Sequence, residues 1–287
     1  MRIGVGLPAA TPGASGRRML TWARRAEERG FATLGVLDRL VYPNYEPLVA
    51  LAAAAAVTEH IALAATVLIA PYRRDVAVLA KQAASVERLA EGRLTLGLSA
   101  GLRRDDFDVN EAPYGDRGAR LDALIGRLRE IWSGGDIGPR PGDGRPELMV
   151  GGNSPAALRR AAVHGLGWIA GASSPAQYGQ ALARARTLWA DHGHANPMPT
   201  KAIVFYALGD RAAELANRHL LDYYAFLGPH KEVMARKAIT DEQALRECVA
   251  GYRDAGCDEL LFFPCAADPA QLDLLADAVP APLAVSG

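Results

Sequence analysis

The chain has 287 residues, half of them apolar, and 32 basic against 32 acidic side chains. That length can bury one large core or two small ones, and a formal charge of zero argues against a nucleic-acid partner, which usually meets a basic stripe. No apolar run approaches the length that spans a membrane. The three cysteines, Cys248, Cys257 and Cys265, outline neither a disulfide framework nor a zinc knuckle, which fits a reducing cytoplasm.

The first residues, MRIGVGLPAA, read as a strand rather than as a signal peptide. Eight apolar runs are predicted as strands, at about 2–7, 33–38, 61–69, 94–100, 147–151, 167–171, 201–208 and 258–263. Most are unbroken rather than alternating, as suits parallel strands covered on both faces. Helix-period segments lie between them. Met19, Trp22, Ala23 and Ala26 fall on one stripe, Val76, Leu79, Ala80 and Ala83 on another, and Leu121, Leu124, Ile125, Leu128, Ile131 and Trp132 on a third. Gly30, Gly92, Gly165 and Gly256 stand where such helices end and would take the left-handed conformation there.

Eight alternating units predict an α/β fold, a (β/α)8 TIM barrel forming a single domain over residues 1–287. The competing fold is an open doubly wound sheet, disfavoured because no Gly-x-Gly-x-x-Gly follows the first strand. The stretch Gly134 to Pro146 reads as a plain loop on the bottom face. Gly101 to Arg117 and about Gly209 to Thr240 read as long top-face segments, where a barrel carries its chemistry. His192 and His194 have no carboxylate or cysteine cluster beside them, so no metal site is expected. The alanine-rich run Leu48 to Ala56 is apolar nearly all round, which predicts burial beyond one sheet contact and a homodimer.

Two places at the strand tops point to ligands. In LMVGGNSPAALRR, Gly151 and Gly152 remove side chains beside a helix start, Asn153 or Ser154 is a good N-cap, and Pro155 a good first helical residue. Backbone amides there would suit a phosphate; ordinary capping is the alternative. The next unit repeats the device with Gly171, Ser173, Ser174 and Pro175. In GVLDRLVYPNYEP, Asp38 and Arg39 end the second strand. They form either a structural ion pair or an anion site in which Asp38 orients Arg39, with Tyr42 and Tyr45 as pocket wall or loop.

These residues carry a resemblance. GFATLGVLDRL, the block IALAATVLIAPYRRDVAVLAKQAASVERLAEGRLTLGLSAG, the YGDRGARLDALIGRLREIW helix and LMVGGNSPAALRRAA together resemble the bacterial luciferase-like superfamily of flavin-dependent oxidoreductases, over nearly the whole chain. The resemblance implies a barrel that binds reduced FMN, delivered by a separate reductase, or the deazaflavin coenzyme F-420. The phosphate would lie near Gly151, Gly152, Asn153 and Ser154, with Gly171, Ala172 and Ser173 beside it. It also implies a cis peptide at Thr66–Val67 against the ring, and Leu7, Asp38, Ala100 and Gly101 as further cofactor contacts; the apolar strand ends at Leu7, Val67 and Ala100 fit a dry mouth. Many relatives, above all those using F-420, have His after the Asp of the second strand. Arg39 stands there instead, which favours a charge role over proton exchange.

Two redox chemistries fit this resemblance: oxygenation of a small organic substrate with reduced FMN and oxygen, slightly ahead, or hydride transfer with F-420. A non-catalytic flavin-binding protein is a remote third reading. A non-redox aldolase or isomerase barrel would need a lysine or paired acids at the strand tops, and Lys201 lies at the opposite end of its strand. Substrate contacts are expected from Arg103, Arg104, Asp105, Asp106 and Phe107, and from Tyr223, Tyr224, Phe226, His230 and Lys231. Among these His230 is a candidate general acid or base, and the three aromatics are either core or pocket wall.

Overall fold

A computed structural model describes residues 1–141 and 146–279. Eight parallel strands close into a barrel in chain order: β1 (Arg2–Gly6), β2 (Thr33–Val36), β3 (Ala62–Ile69), β4 (Leu94–Ser99), β5 (Glu147–Gly151), β6 (Gly167–Ala170), β7 (Thr200–Tyr206) and β8 (Glu259–Pro264). Pairing of Arg2 with Glu259 through Val5 with Phe262 shuts the ring. The fold is the predicted TIM barrel. Several strands stop one or two residues short of the sequence estimate, because their tops leave the ladder and turn over the barrel mouth.

Around the ring stand α1 (Gly16–Glu28), α2 (Pro47–Ala55), α3 (Val76–Leu89), α5 (Arg117–Ser133), α6 (Pro155–His164), α7 (Pro175–Asp191), α10 (Glu242–Asp254) and α11 (Ala270–Ala278). The long top segments contain further helices: α4 (Arg104–Asp108) after β4, and α8 (Ala212–Tyr223), a 3-10 turn (Ala225–His230) and α9 (Lys231–Ala235) after β7. The stripes predicted on α1, α3 and α5 are their buried faces, apart from the half-buried Val76. Gly30, Gly92, Gly165 and Gly256 have φ of 75, 87, 62 and 82°. The stretch 134–141 has neither helix nor strand, and the rest of that predicted loop, 142–145, lies outside the described residues. Among the described residues no helix is long and apolar enough to cross a membrane.

The core has two parts. One is the annulus between strands and helices, with Trp22, Leu34, Leu63, Trp168, Tyr206 and Phe262 almost wholly buried. The other fills the barrel axis with Met149, Ile169, Ile203, Phe205, Leu261 and Phe263 and continues upward into α8 through Ala212, Ala216 and Leu220. Inward-facing glycines make room for these side chains. A Cβ on Gly6 would overlap the Phe263 ring, and one on Gly151 would overlap Val67. At the bottom, Lys201 Nζ donates to Glu259 Oε2 at 2.6 Å, and Arg2 reaches the same oxygen at 2.9 Å. Lys201 is therefore a floor residue whose charge is already matched.

Candidate active site

Above the plug a cavity of about 620 Å³ opens at the strand tops. Its walls come from the ends of β2 to β7, the start of α5 and α6, and the segment after α8. That volume is in the range of small-molecule and cofactor pockets, and the lining is mainly apolar with a few placed polar groups.

On the β2 side, Asp38 is held by groups other than its neighbour. Its carboxylate accepts hydrogen bonds from the Ile69 amide at 2.7 Å, from Tyr72 Oη at 2.9 Å and from Arg73 Nη1 at 2.7 Å. Arg73 also reaches Glu46 at 3.0 Å. The reading in which Asp38 orients Arg39 is thus corrected: successive side chains at a strand end diverge, and Asp38 pairs with Arg73 instead. Burial, reinforced by the Asp38 charge, pushes the Tyr72 hydroxyl far above its ordinary pKa.

Arg39, only 8% exposed, turns toward the segment after β7. Its Nη1 donates to the Tyr223 carbonyl at 2.6 Å and its Nη2 to the Val41 carbonyl at 3.4 Å. The guanidinium lies 4.4 Å from the Tyr42 ring centroid, 4.7 Å from that of Tyr223 and 5.5 Å from that of Phe226. Burial lowers the Arg39 pKa and raises that of Tyr223 to about 12. Arg103 shares the Phe226 ring at 4.4 Å and faces Asp106 at 3.6 Å; it also contacts Asp105. Asp106 in turn accepts from the Leu40 and Val41 amides at 3.1 and 2.7 Å, which ties α4 to the end of β2.

On the β5 side, Ser154 is the N-cap of α6 and accepts from the Ala157 amide at 3.2 Å, with Pro155 following. Gly152 has φ of 122°, and an added Cβ would sit 3.3 Å from that of Ala157. Its amide does not face a ligand, since it donates to Ile169 O at 3.1 Å. Among the described residues, the amides of Asn153, Ser154 and Ala156 have no partner. The Asn153 side chain accepts from the Gly171 amide at 2.9 Å and so staples the two loops together. Beside them, Arg160 holds Asp122 at 2.7 Å and the Gly118 carbonyl at 3.1 Å. Burial alone would raise the Asp122 pKa, but the Arg160 and His164 hydrogen bonds outweigh it and hold the carboxyl below the usual range. Arg117 donates to the Gly101 and Tyr114 carbonyls at 3.1 and 3.0 Å and stacks 3.9 Å from the Tyr114 ring centroid.

Of the residues singled out in the sequence, Asp38, Arg39, Thr66, Val67, Ala100, Gly101, Gly151, Gly152, Asn153, Ser154 and Gly171 lie together on this cavity. The Thr66–Val67 peptide is cis. Arg103, Asp106, Tyr223, Tyr224 and Phe226 line it too. Others do not. Leu7 is sealed below, in a small void with Phe205, His219 and Phe263. Ala172 and Ser173 face a separate pocket, where their carbonyls accept from Lys237 and Tyr252. His230 is exposed at the end of the 3-10 turn and is absent from the cavity wall, because Gly228 at φ 55° and Pro229 carry the chain outward. Lys231, Arg104 and Tyr45 are also off the wall, and Phe107 is buried beneath it. Arg73, Arg117, Arg160 and, in the segment after β7, His219 were not among the residues expected at the site. Arg73 precedes α3, Arg117 opens α5, Arg160 lies within α6 and His219 within α8, so no single position in a helix marks them in the sequence.

The family model for luciferase-like monooxygenases matches residues 1–268. An uncharacterized protein of Mycobacterium tuberculosis is 28% identical over 217 residues, 63% of this chain and 74% of its own. An F420-dependent glucose-6-phosphate dehydrogenase of Amycolatopsis mediterranei is 29% identical over 142 residues, 46% of this chain and 43% of its own. Among solved structures, the monooxygenase RslO1 of Streptomyces bottropensis superposes with a TM-score of 0.80 at 19% identity, covering 97% of this chain and 98% of its own. An F420-dependent secondary alcohol dehydrogenase bound to an F420–acetone adduct gives 0.81 at 18% identity, covering 98% of both chains. The oxygenating constituent of 3,6-diketocamphane monooxygenase from Pseudomonas putida, a Baeyer-Villiger enzyme in complex with FMN, gives 0.73 at 18% identity, covering 100% and 98%. At these identities the superpositions establish the fold.

Proposed function

The chain belongs to the luciferase-like monooxygenase family, and from that premise we propose that its cavity holds a reduced flavin-type coenzyme, FMN or F-420, against a small organic substrate. One observation carries the reading: three unpartnered amides, of Asn153, Ser154 and Ala156, meet at a helix N-terminus on the rim of an otherwise mainly apolar cavity. Such a rim binds a phosphate through amide donors and the helix dipole. Arg117, which has no carboxylate partner among the described residues, supplies a charge beside it. Gly151 and Gly152 keep the approach clear of side chains. Val67, Ile169, Ile203 and Phe205 form dry walls that exclude water from the reacting end.

The bound coenzyme supplies the electrons: reduced FMN with oxygen would oxygenate the substrate, whereas F-420 would exchange a hydride with it. We place oxygenation first. Both carboxylates on the cavity wall are engaged, Asp38 by Arg73 and Asp106 by Arg103 and two amides, and Arg39 does not exchange a proton near neutral pH. The chain's own work is then to position and desolvate, with reduced FMN arriving from a separate reductase. The F-420 reading is supported by the dehydrogenases among the relatives.

Anaerobic fluorescence titration of the purified protein with reduced FMN and with reduced F-420 tests this. Tighter binding of reduced FMN, followed by oxygen uptake with substrate, is the expected result. Binding of F-420 alone moves the reaction to hydride transfer. Failure of both removes the coenzyme site.

A further inference from the structure

The cavity wall carries four guanidiniums, and three of them are explained. Arg160 is matched by Asp122, Arg103 by Asp105 and Asp106, and Arg117 stands beside the unpartnered amides on the β5 side. Arg39 is the remainder. It forms no ion pair among the described residues, its Nε is buried without a partner, and its other contacts are two carbonyls and three ring faces. Of the two wall carboxylates, Asp38 is already matched by Arg73, and Asp106, whose charge also reaches Arg39, is engaged by Arg103 and two amides.

A charge taken this far from water is normally met by an opposite one. The structure holds this one rigidly. Tyr42 and Tyr223 flank the guanidinium, and Phe226 bridges it to Arg103. Stacking leaves the in-plane N–H groups of a planar guanidinium for acceptors; on Arg39 the Tyr223 and Val41 carbonyls take one from each terminal nitrogen, and the remaining fork fits a carboxylate.

Arg39 lies on the opposite side of the mouth from the amide rim, with the ends of β3 and β4 between, so one coenzyme phosphate does not serve both. We propose that Arg39, assisted by Arg103, is the carboxylate-binding subsite for the substrate, so that the enzyme acts on a small organic acid whose apolar part rests against Phe226 and the Phe205 end of the cavity. One guanidinium without an ion-pair partner, beside an Arg103 already held by two carboxylates, calls for a monoanion rather than a phosphate dianion. This rests on the cavity being the substrate site of the proposed oxidoreductase, but its test needs no coenzyme.

The test is calorimetric titration of the purified full chain with phenylacetate, phenylacetamide and phenyl phosphate. Phenylacetate is expected to bind at least about tenfold tighter than the amide, as follows from losing one charge-assisted contact. Arg39→Met should abolish that preference, while Arg39→Lys, which keeps the charge but not the fork, should retain part of it. The lysine variant also keeps the test informative if the methionine variant does not fold. Equal binding of acid and amide, no binding of any probe, a preference that survives Arg39→Met, or tighter binding of phenyl phosphate would each overturn the assignment. A carboxylate preference in a protein that binds neither FMN nor F-420 would sink the oxidoreductase reading and leave this subsite standing; coenzyme binding without the preference would do the reverse.

Discussion

Gly152 shows how much one hydrogen atom in place of a side chain can decide. Its φ of 122° is a conformation that L side chains rarely adopt, and the space where a Cβ would go is already close to Ala157. Gly152→Val therefore distorts the backbone that presents the Asn153 and Ser154 amides. Affinity for the reduced coenzyme should fall by about tenfold or more, since two or more charge-assisted contacts depend on that backbone; unchanged affinity in the fluorescence titration would place the phosphate elsewhere. His219 answers a different question. It is 2% exposed, its Nδ1 has no partner among the described residues, and burial lowers its pKa from 6.5 to about 4. Above the unfolded value the ring is neutral in both states. Between the two values only the unfolded chain takes up the proton, so stability is complete above that window and is lost as pH falls through it. Replacing His219 with Leu should shrink the stability difference between about pH 7 and about pH 4.5 by roughly 2 kcal/mol, as read from urea unfolding at each pH.

At the scale of elements, the top of β2 is fixed to the segment after β3 by the Asp38–Arg73 pair, whose side chains are 1% and 15% exposed. Removing one partner strands the other charge. Arg73→Met should cost about 3–5 kcal/mol in thermal or urea unfolding, and adding Asp38→Asn should recover part of it. The elements themselves were legible in the sequence because parallel strands covered on both faces leave unbroken apolar runs, such as IALAATVLIA, and helix ends leave glycines such as Gly165. The rim Gly151–Ser154 was legible for the same local reason: cap, proline and glycines are neighbours in the chain. What local pattern could not show is pairing across distance. Arg73 lies 35 residues from Asp38, and nothing in YRRD says which arginine turns inward. Likewise, His230 and the 172–173 pair sit beside cavity residues in sequence, but a Gly-Pro turn and a separate pocket keep them off the wall.

For the molecule as a whole, α2 packs on α1, α3 and β3 yet leaves Val49 65% exposed on the same helix as the half-buried Ala52 and Ala53. We expect the surface around Val49 to meet a second copy, giving a dimer in sedimentation velocity that Val49→Glu shifts toward monomer; a wild-type monomer at micromolar concentration would refute this. The barrel floor has a consequence of its own. Ile169, Leu261 and Phe263 block the axis, and the Lys201–Glu259 pair lies beneath them, so the chamber has no rear exit. Both reactants must use one doorway. On the proposed reading the coenzyme and the acid pass the same mouth, so acid that enters first blocks the coenzyme, which is visible as substrate inhibition that excess coenzyme relieves.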